Sequence, residues 1–92
     1  MTTHVVHWSY TPDKSVMEAS RAEHLAYVKQ LVSDGKLLEA GPFEDETGAL
    51  LIFRLESAAE LIELLQRDPY TSGGVVTDTR IYDWRPVLGP LS

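Results

Sequence analysis

The sequence predicts an α+β fold of element order βαββαβ, with four antiparallel strands in one sheet and two helices on one of its faces. Three observations carry this. Capping-box patterns at Ser15-Val16-Met17-Glu18 and Ser57-Ala58-Ala59-Glu60 each open a stretch of helical periodicity. The segments flanking both stretches are rich in β-branched, aromatic and aliphatic residues. The strand–helix–strand pattern occurs twice without a strict repeat, which excludes a solenoid. At 92 residues the chain has length for one domain, 1–92, and not for two.

His4 to Tyr10 is the first strand, and Thr11-Pro12-Asp13-Lys14 turns the chain. The first helix spans about residues 16 to 34 and stops at Gly35, which adopts a left-handed cap at little cost. Lys36 to Ala40 is a short second strand closed by Gly41-Pro42. Glu44-Asp45-Glu46-Thr47-Gly48 is an acidic, solvated turn that lacks the alternating calcium-loop pattern. Ala49 to Leu55 is a nearly continuous apolar run, as expected of a central strand covered on both faces. The second helix, Ala58 to Arg67, ends at Asp68-Pro69, because proline disfavours helical geometry in the residue before it. A loop from Tyr70 to Gly74 leads to the fourth strand, Val75 to Trp84, and a proline-containing tail. Right-handed crossovers leave room for one strand inside each βαβ unit, which gives a ferredoxin-like sandwich. The face away from the helices is then open. It is expected to carry Val6, Trp8, Tyr82 and Trp84, or their alternating neighbours, and to form a homodimer through that face.

The first helix holds two polar residues inside its apolar stripe. With Leu25 at zero and about 100° per residue, Val32, Val28, Met17 and Leu31 fall at about 340°, 300°, 280° and 240°. Arg21 and His24 fall at about 320° and 260°, three residues apart on the same face. A buried guanidinium or imidazole is costly without a partner. The second helix, with its stripe of Ala58, Leu61, Leu64 and Leu65, offers one: Asp68 at its carboxyl end, where an acid opposes the helix dipole by about 0.3–1 kcal/mol. If the two antiparallel helices start flush, with Ala58 level with Asp34, ten residues of helix bring Asp68 beside His24 and Arg21. Such a pair suits acid–base chemistry: the aspartate orients the imidazole, the imidazole moves protons, and Arg21 holds an anionic group. It equally suits a structural ion-pair network between helices.

Composition narrows the classes. Fourteen acidic against eight basic residues, net −6, argue against a nucleic-acid or anionic-membrane surface. Zero cysteines exclude disulfides, thiol nucleophiles and cysteine-ligated metals. The amino terminus has no charged segment followed by an apolar run, and no apolar stretch approaches the ~20 residues that span a bilayer. A cytoplasmic protein is the expectation.

At Arg21-Ala22-Glu23-His24-Leu25 and Asp68-Pro69-Tyr70, and at Ala40-Gly41-Pro42-Phe43 and Thr47-Gly48-Ala49-Leu50, the chain resembles the YCII-related family over nearly its whole length. The resemblance implies a dimeric α+β barrel of ferredoxin-like protomers. It also implies an active site with one histidine and one aspartate, which map here onto His24 and Asp68. The wider superfamily includes muconolactone isomerase-like enzymes and cofactor-free monooxygenases. Ile81-Tyr82-Asp83-Trp84 is similar to the family's aromatic ending, whereas Thr77-Asp78-Thr79-Arg80 is more polar than that pattern.

Other candidates are weaker. His4 and His7 are three apart on a strand, point to opposite faces and cannot chelate one metal as a pair. No zinc spacing exists, and Gly73-Gly74 precedes neither a lysine nor a helix, so it is no phosphate loop. Tyr70 and Ser72, close in sequence to Asp68, are candidate substrate contacts. The leading expectation is a small enzyme without cofactor or metal. His24 and Asp68 would be catalytic, acting on a small oxygenated, possibly ring-derived metabolite by isomerisation or elimination. The alternatives are a non-catalytic small-molecule-binding or structural dimer module, or a cofactor-free monooxygenase.

Overall fold

The computed structural model describes residues Met1 to Ser92. Its elements are β1 Thr2–Tyr10, α1 Lys14–Ser33, β2 Leu37–Pro42, β3 Gly48–Leu55, α2 Ala58–Arg67, α3 Pro69–Ser72 and β4 Val76–Trp84. The strands form one sheet in the order β2-β3-β1-β4, every pair antiparallel. This is the ferredoxin-like α+β fold, with one strand inserted between the two strands of each crossover.

Strand parity decides which residues the helices cover. Val6 and Trp8 of β1 pair with Leu51 and Ala49 of β3, and all four are buried. They join Phe53, Leu55 and Leu37 beneath Leu31 of α1 and Leu61, Leu64 and Leu65 of α2. The next residues along each strand point the other way. Val5 is flanked by Ile52 and Tyr82, His7 by Leu50 and Arg80, and Thr3 by Trp84. Two expectations are therefore corrected. Val6 and Trp8 lie under the helices, and only Tyr82 (52% exposed) and Trp84 (41%) belong to the open face. β3 is central but covered on one face, since Leu50 on the other is 38% exposed.

Local chemistry shifts several boundaries. Asp13, in an extended conformation, caps α1 by accepting the Ser15 N–H at 3.0 Å, so the helix starts at Lys14 and Ser15 sits inside its first turn rather than at the cap. Gly35, at φ +76°, ends α1, and the Lys36 N–H closes the cap on the Leu31 carbonyl. Ser57 does cap α2, accepting the Glu60 N–H at 3.2 Å, but the Glu60 carboxylate reaches back to Glu56 N–H. The expected loop after Asp68 begins with the single turn α3. Asp68 caps it by accepting the Tyr70 N–H, and Pro69 supplies the preset φ of a first helical position. No helix is long and apolar enough to cross a membrane.

Candidate functional site

The two helices are antiparallel and locked at two levels. The Tyr27 hydroxyl donates to the Leu64 carbonyl at 2.6 Å, and His24 Nδ1 meets Asp68 Oδ1 at 2.7 Å. Going down α1 from Tyr27 to His24 goes up α2 from Leu64 to Asp68, as antiparallel packing requires. His24 and Asp68 are buried, with side chains 11% and 3% exposed.

The His24 contact fixes its chemistry. A carboxylate only accepts, so Nδ1 carries a proton, and in the neutral ring Nε2 then holds the lone pair. Nε2 has no hydrogen-bond partner within the protein, and the ring lines a crevice of two adjoining lobes, about 150 and 160 Å³. Together these approach the lower end of usual ligand cavities, about 300 Å³. Asp68 Oδ1 also accepts the Tyr70 N–H at 2.9 Å, so one oxygen ties the cap of α3 to the imidazole. Tyr70 lies flat on His24, ring centroids 3.6 Å apart and planes 3° from parallel. Trp8 closes the floor 6.1 Å from His24, and Tyr10 meets the edge of Tyr70 at 5.7 Å. Rotation of the imidazole is therefore blocked by stacking on one side and by the carboxylate at one nitrogen.

Tyr10 lines both lobes. Burial, with the nearby Tyr70 and the Asp68 charge, pushes its phenol up to about 12, so it is a donor at neutral pH. Tyr70 is raised too, by burial first, with Arg21 pulling the other way.

Arg21 corrects an expectation. It is exposed, not buried, because α1 turns the line through His24 and Leu31 inward and carries Leu25 (40% exposed) and Val32 (53%) toward the surface. Arg21, on the Leu25 side of that line, stands at the rim of the crevice opposite Glu46. Glu46 comes from the acidic turn, at φ +60°, and its carboxylate is held down by a hydrogen bond from Lys14 at 2.8 Å. Ser72, the other expected contact, is exposed, its hydroxyl faces the Pro69 carbonyl at 3.5 Å, and it lines neither lobe. Ala58, expected in the α2 stripe, is exposed in the first turn.

The structure thus brings His24, Asp68, Tyr70 and Arg21 to one crevice and leaves Ser72 outside. Trp8 and Tyr10 line it as well and carry no motif, and Pro42 lines it from the Ala40-Gly41-Pro42-Phe43 segment. The signal for the first two was strand parity: Trp8 and Tyr10 share the face of Val6, but that face could not be chosen without the helices in place. No three His, Asp or Glu side chains are grouped to hold a metal ion.

Comparison with known proteins agrees with this architecture. The chain is 33% identical over 80 residues to an uncharacterised protein of Haemophilus influenzae, covering 76% of this chain and 82% of the relative. It superposes with a TM-score of 0.79 at 27% identity on 5-chloro-2-hydroxyhydroquinone dehydrochlorinase (TftG) of Burkholderia phenoliruptrix, solved with 2,5-dihydroxybenzoquinone, covering 90% of this chain and 93% of that one. The fold is shared with Rv0793 of Mycobacterium tuberculosis, at a TM-score of 0.59 and 16% identity over 96% of both chains. The YCII-related domain model matches residues 2–85, and with the Haemophilus relative this settles the family: the chain belongs to the YCII-related domain proteins.

Proposed function

We propose that this protein is a small cofactor-independent enzyme in which His24 moves a proton on a small oxygenated ring, with isomerisation or elimination as the outcome. The observation that carries the reading is the 2.7 Å contact of His24 Nδ1 with buried Asp68, which leaves Nε2 unpartnered at a crevice wall. Nε2 takes a proton from a ring hydroxyl or from a carbon beside a carbonyl. The imidazolium so formed is stabilised by Asp68, and charge developing on the ring oxygen is met by the Arg21 guanidinium at the rim. The electron pair left on the ring either re-protonates elsewhere, which is isomerisation, or expels a leaving group, which is elimination. The flat aromatic walls, Tyr70 and Trp8, suit a planar ring. The similarity to TftG, a dehydrochlorinase of a hydroxyhydroquinone, supports the same substrate class.

The open sheet face, with Val5, Leu50, Ile52, Tyr82 and Trp84, supports a homodimer as the working form. Trp84→Glu should sediment as a monomer in analytical ultracentrifugation where the unaltered chain sediments as a dimer. Zero cysteines suit a reducing cytoplasm.

The deciding experiment incubates the protein with 5-chloro-2-hydroxyhydroquinone and a panel of hydroquinones. Chloride release, mass shift and dioxygen uptake are followed together. Chloride release or a new isomer that is lost in His24→Ala supports the proposal. Binding without conversion would make the chain a ligand-binding module, and dioxygen uptake would make it an oxygenase.

A further inference from the structure

The two lobes of the His24 crevice, about 150 and 160 Å³, meet at Tyr10, His24, Leu25 and Pro42, which line both. Beyond that waist their chemistry differs. The inner lobe adds Trp8, Val28, Ala40, Gly41, Ala49 and Leu51. The one polar side-chain atom among these, Trp8 Nε1, is closed to solvent and bonds to nothing. A ligand entering the inner lobe therefore finds no side-chain hydrogen-bond partner beyond the waist. The outer lobe adds Met17, Arg21, Glu46 and Tyr70. Arg21 makes no ion pair. Tyr27 is the only tyrosine whose hydroxyl bonds within the fold, so those of Tyr10 and Tyr70 are free.

The contrast sorts the edges of a ligand. A dry apolar cavity of about 150 Å³ takes a benzene ring, so a hydrocarbon edge suits the inner lobe. A hydroxyl placed there gives up its water and finds no partner, which costs about ten- to a hundredfold in affinity. The outer lobe is the reverse: a guanidinium and phenol donors bind oxygens, and at the waist His24 Nε2 accepts from a hydroxyl.

We propose that the substrate of this site is a single ring with its oxygens gathered on one edge and a hydrocarbon edge opposite, as in a 4-alkylcatechol. The oxygens lie in the outer lobe, the hydroxyl nearest the waist donates to His24 Nε2, and the hydrocarbon edge lies against Trp8, Val28 and Leu51. This orientation, which rests on the ring-binding reading of the crevice, ranks a hydroquinone below a catechol. With hydroxyls on opposite edges, a hydroquinone has to leave one of them unpaired in the inner lobe.

The test titrates 13C,15N-labelled protein under nitrogen with catechol, 4-methylcatechol and hydroquinone, following the His24 imidazole and the side-chain methyl groups by NMR. 4-Methylcatechol is expected to bind about fourfold more tightly than catechol, the worth of one buried methyl. Hydroquinone should bind about tenfold more weakly than catechol, or worse. The ligand methyl should give nuclear Overhauser contacts to Val28 and Leu51 and none to Met17. Val28→Thr puts a hydroxyl into the inner lobe and should erase the gain from the methyl while catechol still binds. Ala40→Ser, at an exposed position of β2 paired with Leu51, offers the far hydroxyl of hydroquinone a partner and should narrow its gap to catechol. Arg21→Gln should weaken all three ligands alike and leave their order intact. Ligand-methyl contacts to Met17 instead of Val28, or hydroquinone binding as tightly as catechol, would overturn the orientation while the ring-binding reading stands. No change at His24 with any of the three ligands would overturn both.

Discussion

Replacing Asp68 with asparagine keeps the shape of the α3 cap and removes its charge. The amide oxygen can still accept the Tyr70 N–H and His24 Nδ1, which contact Asp68 Oδ1 at 2.9 and 2.7 Å, so the fold should survive. What is lost is the stabilisation of the imidazolium that forms when Nε2 takes a proton. For unit charges about 4 Å apart at an effective dielectric of about 20, that is about 4 kcal/mol, or roughly three orders of magnitude in rate. Ring delocalisation lowers this, and a fall in kcat of about 10²–10³ is expected with KM little changed. Asp68→Ala adds a structural cost. Orphaning the Tyr70 N–H, which is the loss of the cap, and His24 Nδ1 costs about 1–3 kcal/mol for each group. Steady-state kinetics on whichever hydroquinone is converted gives the first number, and urea unfolding of both variants gives the second. A 15N spectrum of the imidazole provides a check that needs no substrate: the unaltered chain should show Nδ1 protonated and Nε2 bare. Wild-type kcat in Asp68→Asn, or an Nε2-protonated imidazole in the unaltered chain, would refute the reasoning.

Other consequences are simpler to measure. Tyr27→Phe removes the 2.6 Å bond to Leu64 and should cost about 1 kcal/mol in denaturant unfolding. Gly48→Ala should cost more than the usual ~1–3 kcal/mol of overpacking, because the added carbon would collide with the Trp8 carbonyl oxygen and neither backbone can yield without losing the β1–β3 register; circular dichroism melting reads this directly. Tyr10 holds its proton more tightly folded than unfolded, with its phenol at about 12. The unfolded chain loses that proton first as pH rises, so stability should fall between about pH 10 and pH 12, and Tyr10→Phe should flatten that fall.

The two helices differ in how closely burial follows the apolar pattern. In α2 the apolar residues Leu61, Leu64 and Leu65 are also the buried ones, and its limits, Ala58–Arg67, coincide with the cap and the proline that mark them. In α1 the apolar stripe and the buried line differ. Burial follows His24 and Leu31, while Leu25 and Val32 stay largely exposed. The reason is the His24–Asp68 contact, which draws a polar residue inward and turns the helix about its axis. A wheel of one helix has no knowledge of the carboxylate on another.

Element order, the antiparallel helix pair and, granted flush helix ends, the level at which Asp68 reaches His24 were legible in the amino-acid sequence. These follow from caps, breakers and the fixed rise of a helix, all local properties. Which parity of β1 faces the helices was set by packing between layers, and with it that Trp8 and Tyr10 wall the crevice while Val5 and His7 face outward. The same packing set Arg21 at the rim, left Ser72 off the crevice wall and placed His4 between Thr2 and Asp83. A strand of alternating side chains is equally satisfied by either face until another layer packs on it, and that choice belongs to contacts between residues far apart in the chain.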